Sequence, residues 1–312
     1  MAAVNLVPGQ RKKFTYTPFE LTLLASIQGM PPNNVYWVQS TATGATDTAT
    51  AGTKEQPFAT IDYAVGRCTA NKGDVILALP GHVETISGAA SLAVDVAGIS
   101  VIGLGQGKNR PILDFTNTAG TVTLAAANIL LANMIVRANV SAITMGLDVN
   151  ADDVELAQLG FTYDATGDDF AIMVDCTSVD NTYIHDCVFD TELSTAGGVK
   201  AINLVDTDNT RIEDNVFRGQ WSASVILVAT TLCRQLCIKR NLIYNTGTAV
   251  YGAIDTGTLS TTGIVARNDI VSLYATAVAK LMRDGDLNSM GNYWANAVSV
   301  RGAQALPATS AS

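Results

Sequence analysis

The chain has 312 residues, 48% of them hydrophobic, with only 6% aromatic and 15% charged side chains and a net charge of -9. A chain of this length can bury a large core, and its apolar content excludes a disordered acidic polypeptide. The negative balance argues against general nucleic-acid binding, which neutralises phosphates with Lys and Arg, and no apolar run is long enough to span a bilayer.

Residues 1–35 read as a separate leader and a candidate particle anchor. It holds the basic run Arg11, Lys12 and Lys13, followed by a mixed stretch from Phe14 to Ile27. Thr15, Thr17, Pro18 and Glu20 interrupt that stretch, so a cleaved export signal is not indicated. Gly29-Met30-Pro31-Pro32-Asn33-Asn34 breaks any regular element.

Residues 36–98 hold the opening strands and a capping helix. Val35 to Gln39 forms a short strand, and the Thr-, Ala- and Gly-rich stretch from Ser40 to Lys54 a surface loop. Phe58, Ile61, Ala64, Val65 and Cys68 recur at three- and four-residue spacing, which predicts a helix over 57–70 with one apolar stripe. Val75 to Leu79 is a strand stopped by Pro80-Gly81. A stack of strands has an open hydrophobic end, and this helix is placed to cover it.

Residues 99–295 repeat. A central apolar residue has a turn-forming or small residue three before it, another three after it, and a large apolar residue five after it. Asn181, Ile184, Cys187 and Phe189 fit, as do Asn209, Ile212, Asn215 and Phe217; Gln235, Ile238, Asn241 and Ile243; and Thr262, Val265, Asn268 and Ile270. Earlier copies centre on Leu131 and Leu156, and Val101 centres the first. The centres 101, 131, 156, 184, 212, 238 and 265 are 30, 25, 28, 28, 26 and 27 residues apart. That interval suits one coil of a right-handed parallel β-helix, an all-β solenoid, with loops of variable length.

A second strand recurs between the centres, at Ala142 to Val149, Phe170 to Val174, Val199 to Val205, Ser224 to Val228, Ala249 to Ile254 and Ala277 to Met282. Each coil therefore has at least two strands, and some have a third. Alternation places Ile212 and Val216 inward and Glu213 outward, with Phe217 crossing a bend before facing in. Asn215, Asn241 and Asn268 form a structural ladder and Asn181 with Asn209 another, since Asn bonds nearby backbone, tolerates left-handed dihedrals and can stack amide on amide. After Trp294 only a short Ala-, Ser- and Pro-containing tail remains, residues 296–312.

The run from Gly52 to Val65, G-T-K-E-Q-P-F-A-T-I-D-Y-A-V, and that from Lys72 to Thr85, K-G-D-V-I-L-A-L-P-G-H-V-E-T, resemble the opening of pectate-lyase-like β-helix proteins. They are especially similar to the virion-associated members of tailed bacteriophages. The resemblance implies the fold and a family of lyases, hydrolases, tailspikes, adhesins and structural rods. It also implies that this chain forms a homo-oligomer, expected as a trimer, assembled in the host cytoplasm onto capsid or tail proteins.

The five cysteines, at 68, 176, 187, 233 and 237, match no disulfide framework and read as reduced, mostly buried thiols. Cys233 and Cys237 lack the second pair or nearby histidine of a zinc site, so no metal and no cofactor is expected.

The weak catalytic candidates are Asp186 and Asp214, which share one phase with Arg240 and Arg267 and lie beside the line His185, Glu213 and Lys239. Asp186 with Asp214 approximates the carboxyl spacing of a retaining glycosidase, about 5 Å. Opposite charges on neighbouring coils read instead as a paired surface ladder. No Ser or Cys at that ladder position completes a triad with His185, and His82 falls at a strand bend. Trp221, in the loop Gly219-Gln220-Trp221-Ser222, is a candidate surface contact, whereas Trp37 and Trp294 mark the ends as packing residues. The residues favour a non-enzymatic virion rod, either capsid-decorating or tail-associated. The alternatives are a polysaccharide lyase or endoglycosidase and a non-catalytic glycan-binding adhesin.

Overall fold

A computed structural model describes residues 34–191, 197–229, 231–247, 253–257, 260–272, 282–283, 286–296 and 303–304. The leader through Asn33, with Arg11, Lys12 and Lys13, lies outside the described residues. So do the tail after residue 304 and parts of the strands expected at Ala249 to Ile254 and Ala277 to Met282.

The chain winds into a right-handed parallel β-helix with three strands in a full coil. Strands stack into sheets of ten, eight and ten members. The first sheet runs from Val35–Val38 through Tyr183–His185 to Asn288–Met290, the second from Leu92–Val94 to Met282–Arg283, and the third from Val83–Ile86 to Tyr293–Asn296. Pairing along the coils is parallel, and Ala303–Gln304, the tenth strand of the third sheet, adds antiparallel to Tyr293–Asn296. The ten strands of the first sheet give a rod roughly 45 Å long at one strand spacing per coil.

Inward positions make one continuous core. Leu131, Leu156, Ile184, Ile212, Ile238 and Val265 stack in register in the first sheet and are fully buried. In the third sheet the rings of Phe161, Phe189 and Phe217 stack at 4.6 Å between centroids, 10° from parallel. Phe217 faces the core as expected, but the expected phase of Val216 is corrected: it faces out, because the bend falls at Asp214 and resets the alternation.

Two rows of non-glycine residues with left-handed backbone flank the first sheet. Asn128, Asp153, Asn181, Asn209 and Gln235 precede its strands with φ between +55° and +59°. Asn133, Gln158, Asp186, Asp214, Arg240 and Arg267 follow them with φ between +54° and +58°. The Asn ladder sits one residue later, inside the bend, with Asn215, Asn241, Asn268 and Asn292 all buried.

The helix is shorter than its apolar stripe, Ile61–Val65, and buries Ile61, Ala64 and Val65 against the first strands. Thr60 caps it by accepting from Tyr63 N, and the buried Glu84 carboxylate accepts from Ile61 N at 2.8 Å. Glu84 is also bonded to Nε2 of buried His82, whose Nδ1 accepts from Ser40 N at 3.0 Å. An Nδ1 acceptor fixes the hydrogen on Nε2, so His82 is a neutral tie between the 40–58 loop and the first coils.

Candidate functional site

All three outer faces carry ionisable groups, and hydrogen bonding separates the first sheet's from the second's. On the first sheet the outward rows are Tyr183 with Arg211 and Cys237, and His185 with Glu213 and Lys239. Every anionic group here that the sequence singled out has a cationic partner. Asp214 accepts from Nε and Nη2 of Arg240 at 3.1 and 2.8 Å, and Glu213 accepts from Arg240 and from both Nε and Nη2 of Arg211. Burial raises the Glu213 pKa, but hydrogen bonds from Cys237, Arg211 and Arg240 outweigh it and hold the carboxyl below its ordinary range.

Asp186 is bonded to His185 Nδ1 at 2.9 Å, and Glu155 of the preceding coil to His185 Nε2 at 2.9 Å. With a carboxylate on each ring nitrogen, the imidazole is held as a cation. Burial disfavours that charge, but the two carboxylates prevail and raise the pKa. Tyr183 stacks on His185 at 4.1 Å while Arg211 lies over the same ring at 4.5 Å. Asp186 and Asp214 are thus members of a paired surface ladder, Asp214 on Arg240 and Asp186 sharing His185 with Glu155.

The outer face of the second sheet differs. Asp148 and Asp175 point outward between inward Leu147 and Val149, and between inward Val174 and Cys176. They are register partners on adjacent coils, which places their backbones about 4.8 Å apart. Asn203 is the partner on the following coil.

Asp175 is nearly covered, and its oxygens accept from Thr177 Oγ1 at 2.9 Å and Asn203 Nδ2 at 2.6 Å. Asp148 is half-buried and accepts from Asn150 Nδ2 at 2.8 Å. Burial raises the Asp148 pKa; the Asn150 hydrogen bond opposes this and the neighbouring Asp175 charge adds to it. Lys200 Nζ donates to Asn203 Oδ1 at 2.9 Å, and burial lowers its pKa against the pull of Asp175. Among the described residues neither aspartate forms an ion pair.

The sequence expectations missed this pair because they tracked the outward positions of the first sheet alone. The triplets Leu147-Asp148-Val149, Val174-Asp175-Cys176 and Ile202-Asn203-Leu204, each apolar-polar-apolar within a strand, carry the signal.

Trp221 is not a surface contact: it is fully buried beside Gly198, its backbone N donates to Asn245 Oδ1 at 3.0 Å, and its Nε1 has no partner. Asn215, Asn241 and Asn268 hold the ladder expected of them. All five cysteines are free thiols, and burial pushes the Cys187 thiol up to about 12, far from a reactive thiolate. Among the described residues no three His, Cys, Asp or Glu side chains gather as metal ligands.

No protein-family profile and no curated protein matches the chain. Among solved structures it is similar to a rhamnogalacturonan lyase at 15% identity and TM-score 0.41, with 83% of this chain and 87% of that one covered. It is also similar to the pectate lyase Pel9A at 13% identity and TM-score 0.43, covering 88% and 83%. A third, the GH136 lacto-N-biosidase from Eubacterium ramulus, has 11% identity and TM-score 0.32, covering 88% and 69%. These likenesses concern the coiled architecture. The expected virion, capsid-decoration, tailspike and homotrimer assignments are corrected to this coarser statement, since none of them has a counterpart among these structures.

Proposed function

We propose that the protein cleaves a polysaccharide as a retaining endoglycosidase, with Asp148 as general acid and base and Asp175 as nucleophile. The observation that carries this reading is the Asp148–Asp175 pair itself: two carboxyls one coil apart, free of ion pairs and held in unlike surroundings. Retention requires carboxyl groups about 5–5.5 Å apart, close to one coil spacing. The raised pKa of Asp148 suits a proton donor.

In the first step Asp148 gives its proton to the glycosidic oxygen as that C–O bond breaks, and an Asp175 oxygen bonds to the anomeric carbon. Water then loses a proton to Asp148 and attacks the same carbon, releasing Asp175. Thr177 and Asn203 orient the nucleophile by occupying its other lone pairs.

The test is reducing-end release from a panel of neutral and acidic polysaccharides, with product anomers followed by NMR. Asp148→Asn and Asp175→Asn should each lower turnover about 10²–10⁴-fold with unchanged circular dichroism. Full activity in both variants, or no product on any substrate, would overturn the reading. A second reading is favoured by Lys200, whose half-buried amine has a lowered pKa and could abstract a sugar proton in a lyase reaction. Unsaturated products, lost in Lys200→Met, would select it.

A further inference from the structure

The outer face of the third sheet plays no part in the proposed chemistry, and its composition is ordered. One outward row runs along the rod through Val83, Ile112, Ile135, Val188, Val216 and Leu242, with Gly160 at its middle. Val188 and Leu242 are 39% and 45% exposed and stand two coils apart with Val216 between them, which makes one bare apolar strip on this face. The next outward row runs Asp114, Arg137, Thr162, Asp190, Arg218.

That second row is its own complement when reversed. Place a second copy face to face, turned about a two-fold axis along the strand Gly160–Tyr163, so that the rods run antiparallel. Asp114 then meets Arg218, Arg137 meets Asp190, and Thr162 meets Thr162. In the same operation Ile112 meets Val216, Ile135 meets Val188, and Val83 meets Leu242. A parallel arrangement about an axis along the rod sets Asp on Asp and Arg on Arg, which is strongly disfavoured.

The charged groups already have in-chain partners, Arg137 with Asp114 and Asp164, and Arg218 with Asp190. Those pairs hold the side chains in the alternation that the second copy would read. Arg110, held by Gly107 O and Gln158 O, fills the space above Gly160. In the first row contact is therefore made by the pairs on either side of Gly160, while Thr162 in the second row meets its own copy.

We propose that this face is the interface of an antiparallel homodimer, an isologous contact between two copies of this chain. The experiment is sedimentation of the purified full chain with three variants. Wild type should sediment as a dimer. Val188→Glu should weaken dimerisation at least about tenfold by placing a carboxylate on Ile135 of the second copy. Arg218→Glu, on an exposed side chain outside the core, should do the same by opposing Asp114.

Thr162→Cys should give a disulfide-linked dimer on mild oxidation, since only position 162 meets itself. A monomeric or trimeric wild type would overturn the proposal. So would a dimer that survives both charge variants and leaves the position-162 thiol uncrosslinked.

Discussion

Asn215 donates both its backbone N–H and its side-chain amide to Oδ1 of Asn241, at 3.0 and 3.1 Å, across the full width of one coil step. Asn241 does the same to Asn268, and Asn268 to Asn292. Each amide spends its second hydrogen on the carbonyl of the coil behind, as Asn241 does on Ile212 O.

Replacing Asn241 by Ala removes both ends of this arrangement. It orphans Asn215 N, Asn215 Nδ2's forward bond and Ile212 O in a buried setting. The expected cost is about 2–4 kcal/mol, since each buried polar group left unpaired costs about 1–3 kcal/mol and some regain partners. Urea unfolding of Asn241→Ala against wild type measures it, and a change under about 0.5 kcal/mol would mean that the ladder is decorative.

Asp148 sets the alkaline limb of the activity. As general acid it must be protonated, and its raised pKa keeps it so beyond the range of a free Asp. Cleavage should therefore fall as pH rises through that raised value. Asp148→Glu should move the limb, and Asn150→Ala should move it upward, because the Asn150 hydrogen bond opposes the rise. A limb unmoved in both would assign the titration elsewhere.

Asp214→Asn and Glu213→Gln should leave turnover within about twofold of wild type, while each lowers stability by about 1 kcal/mol through the loss of charged hydrogen bonds to Arg240 and Arg211. Loss of cleavage in folded Asp214→Asn would return the catalytic role to the first sheet.

His185 ties Glu155 to Asp186 only as an imidazolium. Its folded pKa lies above the unfolded value of 6.5, so its contribution is fully present below that pH and is lost as pH rises through the folded value. Unfolding midpoints of wild type should drop as pH rises from below 6.5 through the raised folded value, and His185→Gln should flatten that portion of the curve. Parallel curves for the two proteins would remove His185 as the cause.

Phe189 lies between Phe161 and Phe217 in the stacked file of rings. Phe189→Ala opens a cavity there and should cost about 3–5 kcal/mol, whereas Phe189→Leu should cost clearly less. Calorimetric midpoints of the two variants provide the comparison.

The coil architecture was legible because inward residues of the first sheet recur at one phase: Ile184, Ile212, Ile238 and Val265 must all fill the same layer. The left-handed turns were partly legible, through Asn181 and Asn209. The opposite bend was placed a residue late because Arg240 and Arg267 at its left-handed positions do not advertise such backbone, while the Asn residues that follow them do. That shift also misplaced Val216. Asp148 and Asp175 stayed hidden because the outward positions of the second strand were not aligned from coil to coil, although Asp175 and Asn203 lie one 28-residue repeat apart. Trp221 misled for the opposite reason: a loop-like sequence around it folds inward beneath Asn245 and Gly247.

Hydrogen-bond partners across the middle of the rod are separated by a constant 28 residues, from Asp152 with Asp180 to Asp180 with Asp208, Cys187 with Asn215, and Asp175 with Asn203. A segment of that size is interchangeable with its neighbour in sequence and in space. Gain or loss of one whole turn here would change the rod's length while leaving every remaining stack in step, so the unit of inheritance for this fold is a complete turn. Removing the turn that carries Lys200 and Asn203 would keep both aspartates yet strip away one of their walls, which makes turn number a natural dial on what the molecule can grip.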